Sequence, residues 1–158
     1  MAEKPYSDTE LVESLAEFEK QLETPVVPGE LYDWAERGQT ELEGLQKKYA
    51  AHIASSHEAQ YKEIVKQDPG QIPRMERVRD EDAAILKEIE RLSGVFARTK
   101  RIINAAEEAP QRDSEEIDAI LPPLTGETLA LIIRIRMQEN AIDTWYVEAF
   151  QRDRGVAD

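Results

Sequence analysis

The sequence predicts an all-α chain folded as an antiparallel four-helix bundle. Three observations predict it: apolar residues recur at three- and four-residue spacing along four segments, stretches bearing proline and glycine separate those segments, and no segment alternates apolar and polar residues as a strand would. The length of 158 residues fits one domain, spanning 1–158, and is enough to bury a core.

Each element follows from its punctuation. In "SDTE" Ser7 stands three residues before Glu10, the capping-box spacing, so helix one is expected over about 8–23. "TPVVPGE" breaks it, and helix two is expected over about 30–67, ending at "DPGQIP". Pro73 suits the first turn of helix three, about 73–107. Asp113 to Glu116 resembles another cap, opening a short helix over about 114–120. Pro122 and Pro123 separate that piece from a last helix over about 126–153, and "ILPPLTG" becomes a connection expected to cap one end of the bundle, with a docking surface as the alternative. The inward stripes are Leu11, Leu15, Phe18 and Leu22 on helix one, and Leu42, Leu45, Tyr49, His52, Ser56 and Ala59 on helix two. Helix three contributes Met75, Val78, Asp82, Ile85 and Ile89, and the last helix Leu131, Ile135, Gln138, Ile142 and Trp145.

Composition narrows the chemistry. Lys and Arg number 20 against 33 Asp and Glu, a formal charge of -13 that repels nucleic acid and anionic membrane surfaces. Without cysteine there are no disulfides, thiolate catalysis or thiolate metal sites. No stretch approaches the roughly 18 apolar residues of a membrane span, and the N-terminus lacks the apolar core of a signal peptide, so a cytoplasmic location is expected. HExxH, Walker A, G-x-G-x-x-G and paired Glu-x-x-His motifs are all missing. Neither Ser55 nor Ser56 sits in a strained nucleophile elbow. Trp34, Trp145 and Tyr146 are expected to pack in the core, and "ARTKR" at 97–101 to complement the helix dipole.

The stripes carry polar exceptions near mid-helix: His52 with Ser56, Asp82, and Gln138. Buried polar groups must find partners, and these are expected to find each other as a residual polar pocket. His57 is five residues from His52, about 140° around a regular helix, so it is expected to point elsewhere and the pair not to chelate one ion.

The long helix with "YAAHIASSHE", the turn "QDPGQIPRMERV", the segment "DEDAAILKEIERL" and the ending "QENAIDTWYVEAFQRDRG" resemble the bacterial hemerythrin-like domains over residues 10–155. The resemblance implies a bundle that holds a di-iron centre between histidines and carboxylates, but the ligand set departs from the pattern. His52 matches the second-helix histidine, whereas Ser56 stands where an acid belongs four residues on. Asp82 replaces the third-helix histidine. Gln138, Glu139 and Ile142 stand for the last helix's histidine, glutamate and acid.

The expectation is therefore a hemerythrin-like bundle that has lost its di-iron centre, not an enzyme, with a structural, sensory or protein-interaction role and no cofactor. The alternative is a single divalent metal ion held at an altered site by His52, Asp82 and Gln138. Nucleic acid and membranes are not expected partners; a homodimer through an exposed helix face, or another protein partner, is.

Overall fold

Asp8 starts the first helix. Its carboxylate accepts the Leu11 amide at 3.0 Å, so the N-cap is Asp8 and not the expected Ser7. The structure, a computed structural model, describes residues 6–108 and 110–155; among them there is no strand. Helix α1 runs Thr9–Glu23, and its expected stripe of Leu11, Leu15, Phe18 and Leu22 is buried.

The second rod has three parts: α2 (Leu31–His52), a five-residue π-helical turn (Ile53–His57) and α3 (Glu58–Gln67). Ile53, His57 and Glu58 at the junctions all keep right-handed helical dihedrals, so the rod is unbroken. Asp68 ends it, its carboxylate accepting the Gly70 amide at 3.1 Å to open the 3₁₀ turn Pro69–Gln71. Helix α4 follows as Ile72–Glu108, with Pro73 in its first turn as expected.

Helix α5 runs Pro110–Gly155 without interruption, which corrects the expected split. Its start precedes Asp113, a residue whose side chain lies outside the described ones. The short helix and the last helix are one, and "ILPPLTG" lies within it. Interior proline costs about 3 kcal/mol in lost bonding and ring clash. Here the rings of Pro122 and Pro123 face outward, while Ile117, Leu124 and Leu131, spaced seven apart, are buried on the opposite face. Burial of large aliphatic side chains is worth about 1.5–3 kcal/mol each, enough to keep the helix continuous through the break signal.

The helices α1, α2, α4 and α5 pack together, most extensively α2 on α4 and α4 on α5. At one crossing the Phe96 ring of α4 lies against the backbone of α2: a Cβ on Gly38 would lie 2.3 Å from it, so only glycine fits there. Two apolar clusters result. The larger joins Leu42, Leu45 and Tyr49 of α2 to Ile85, Ile89, Leu92 and Phe96 of α4 and to Leu131 and Ile135 of α5. The smaller joins Tyr61 and Ile64 of α3 to Met75 and Val78 of α4 and to Ile142 and Ala149 of α5. Trp34 is buried in the larger cluster as expected, and Trp145 and Tyr146 are half-buried against the smaller. Between the two clusters the buried residues are polar: His52 and His57, Asp82, and Gln138, with half-buried Glu139 beside them. No helix among the described residues is long and apolar enough to cross a membrane.

Candidate metal centre

The π turn builds this layer. An α-helix places residues three and four apart on one face; a π turn, bonding five residues back, absorbs one extra residue and brings positions five apart together. The bond from the Glu58 amide to the Ile53 carbonyl has that spacing, and the Ser55 hydroxyl donates to the Ala51 carbonyl at 2.9 Å. His57 is thereby turned inward. It is fully buried, and its ring centroid lies 4.7 Å from that of His52. The expectation that it points away from His52 is overturned, because it assumed an uninterrupted α-helix. Ser56, expected in the pocket, is half-buried and makes none of the contacts described below; His57 takes the place its register would have given it.

Asp82 organises one side of the layer. Its Oδ1 accepts the Tyr49 hydroxyl at 3.0 Å and Gln138 Nε2 at 3.0 Å; its Oδ2 accepts His57 Nδ1–H at 2.9 Å and the Tyr61 hydroxyl at 2.6 Å. Burial alone would raise its pKa, but the bonds from His57, Tyr61 and Gln138 and the charge of His57 hold it below the ordinary carboxylate value. The two tyrosines respond in the opposite sense: burial first, then the Asp82 charge and hydrogen bond, push both hydroxyls far up, so they remain neutral donors. Gln138 Nε2 also donates to the Val78 carbonyl at 3.0 Å, fixing α5 against α4.

Glu139 organises the other side. His52 Nε2 lies 2.8 Å from its Oε2, and His57 Nε2 contacts its Oε1. Burial pushes His57 towards the neutral form, yet the hydrogen bonds and charges of Asp82 and Glu139 outweigh it and raise the pKa to about 9. Burial likewise opposes ionisation of Glu139, but the two histidines lower it to about 2. His52 Nδ1 is buried without a hydrogen-bond partner, 3.4 Å from Oδ2 of Asp8, the same carboxylate that caps α1.

One donor atom from each of His52, His57 and Glu139 can be chosen so that the three lie within 4.8 Å of one another. Two imidazole nitrogens and one carboxylate oxygen suit a borderline divalent cation. The Nδ1 side of each ring faces a carboxylate, Asp82 for His57 and Asp8 for His52, the arrangement that orients metal-binding histidines. A groove of about 290 Å³ bounded by Asp8, Leu11, Glu139 and Asn140 reaches Glu139 from solvent.

The expected set His52, Asp82 and Gln138 is thus divided. Asp82 and Gln138 bond each other, but His52 is linked to them only through Glu139 and His57. All four donors on Asp82 come from the protein, which makes it a carboxylate that orients a histidine rather than one that holds an ion. His57, Glu139, Tyr49, Tyr61 and Asp8 were not among the expected site residues. A signal for His57 exists in the sequence: continuing the regular stripe past His52 would bury Glu63 and Lys66, whereas a one-residue shift buries Tyr61 and Ile64.

No family model, curated protein or solved structure matches this chain.

Proposed function

We propose that this chain is a metal-binding helical bundle of antiparallel, hemerythrin-like type, in which His52, His57 and Glu139 hold a single divalent cation. The observation that carries the proposal is the convergence of both Nε2 atoms on one carboxylate while both Nδ1 atoms face carboxylates. The antiparallel arrangement is supported by the alternating order of the two apolar clusters along α2–α3, α4 and α5. The hemerythrin-like reading is supported by the π turn, which turns His57, five residues after His52, to the face where that pattern has an acid four residues after its histidine.

A bound ion supplies a fixed positive charge and Lewis acidity at the centre of the layer. The chain's own residues do the rest. Asp82 holds His57 in the Nδ1–H tautomer with Nε2 inward, Tyr49, Tyr61 and Gln138 hold Asp82, and Asp8 links the site to the start of α1. His52 and His57 side chains are 1% and 0% exposed, against 25% for Glu139, so the groove beside Glu139 is the way in. Such enclosure suits a structural or sensory role rather than turnover of a substrate.

Elemental analysis of protein expressed with iron and zinc supplements, and cobalt(II) titration read by d–d absorption, test the proposal. One ion per chain is expected, lost in His57→Ala and Glu139→Ala and kept in Gln138→Leu. Loss in Gln138→Leu with retention in His57→Ala would replace this ligand set by His52, Asp82 and Gln138. Absence of stoichiometric metal would favour a second reading, a non-catalytic bundle with a polar core layer; it is supported by the direct hydrogen bonds that join Tyr61, Asp82, His57 and Glu139.

A further inference from the structure

Helix α5 has a second seam, on its outer side. Ala130, Ile133, Met137, Asn140, Thr144 and Val147 follow one another at spacings of three and four, and all six are exposed. Pro123 and Gly126 extend the seam by one heptad, and no position in it is charged. Ile133, Met137 and Val147 are 56%, 66% and 51% exposed, half of the large exposed apolar side chains among the described residues. The outer face of α4 is the internal control: it carries Arg77, Asp80, Lys87, Glu90, Arg91 and Arg98. In a chain of net charge -13, an uncharged seam more than three heptads long is not what its composition leads one to expect of a solvated surface.

We infer that this seam is a self-association surface, on which α5 of a second copy of the chain packs antiparallel. The spacing is that of the a and d positions of a two-stranded coiled coil, Met137 and Asn140 marking one layer. The charges that flank the seam select both the partner and its direction. In the antiparallel register that sets Met137 against the second copy's Asn140, Arg136 of each copy lies beside Asp143 of the other, giving two opposite-charge pairs. A parallel register would place Asp143 beside Glu148 twice and make no attractive pair. On the other flank Glu127 of each copy approaches Glu148 of the other, a repulsion weakened by the Arg91–Glu127 ion pair at 3.0 Å, just as the Glu19 ion pair weakens the attraction of Arg136 for Asp143. Arg136 pairs with Glu19 of α1, and Asp143 accepts Gln60 Nε2 at 3.2 Å, so both flanking groups are held in place before association. A strip about 37 Å long and 10 Å wide on each copy removes about 700 Å² from water in total, the size of a weak, reversible interface.

Sedimentation of the full chain across a concentration series tests the inference. The expected result is a reversible dimer of about 36 kDa, twice the 18.0 kDa chain, converted to monomer by Ile133→Glu and by Met137→Glu with helical circular dichroism unchanged. A mass of one chain at every concentration, or a dimer that both variants leave intact, would overturn it. Because the chain has no cysteine, direction is read separately by oxidation. A mixture of Ala130→Cys and Val147→Cys is expected to give the mixed crosslink, with neither variant crosslinking alone; efficient crosslinking of either alone would overturn the antiparallel arrangement.

Discussion

At the scale of single residues, His57 and Glu139 hold each other in their charged states, and the sign of that coupling sets how stability responds to pH. The His57 pKa is raised from 6.5 to about 9, so its contribution to stability is fully present below 6.5 and is lost as pH rises through 9. The Glu139 pKa is lowered from 4.5 to about 2, so its contribution is present above 4.5 and is lost as pH falls through 2. The two contributions coexist in full between 4.5 and 6.5, and metal-free protein is expected to melt highest there. Thermal melts in chelator across the pH range check this. In His57→Gln the decline between pH 6.5 and 9 should flatten, since no imidazolium remains to be lost; an unchanged alkaline decline in that variant would assign it to other groups.

At the scale of elements, the informative one is the π turn. The apolar stripes of α1, α4 and the last part of α5 were legible because their 3.6-residue period is undisturbed: Met75, Val78, Asp82, Ile85 and Ile89 are all buried as their spacing requires. Asp82 and Gln138 were legible for the same reason, as polar residues on buried stripes. His57 was not, because one inserted residue rotates everything after it by about 100°, and that is invisible to a period held constant along the helix. The two prolines misled in the opposite way, since a strong local break signal is overridden by burial on the far face. If the π turn is one residue added to an α-helical histidine pair, deleting Ala54 should turn residues 53–57 into regular α-helix while leaving the histidines on one face, now four apart. We expect that deletion to keep metal stoichiometry and the register of Tyr61 and Ile64, with a melting temperature no lower than that of the parent. Collapse of both would mean that the π turn itself is needed to hold the site.

At the scale of the whole molecule, the charge of -13 opposes the association proposed for α5, and magnitudes decide how salt acts. Two such charges with centres about 25 Å apart repel by on the order of 10 kcal/mol at 0.01 M ionic strength and about 1 kcal/mol at 0.15 M. The flanking Arg136–Asp143 pairs are worth at most about 1 kcal/mol each and weaken over the same range. Relief of the repulsion therefore outweighs the weakening of the pairs, while burial of Ile133, Met137 and Val147 is nearly insensitive to salt at these levels. Dimerisation should strengthen as salt rises from 0.01 to 0.15 M, the reverse of an interface held by ion pairs. Sedimentation equilibrium at several ionic strengths measures this directly, and weakening with salt would mean that the flanking charges, rather than the apolar seam, hold the copies together.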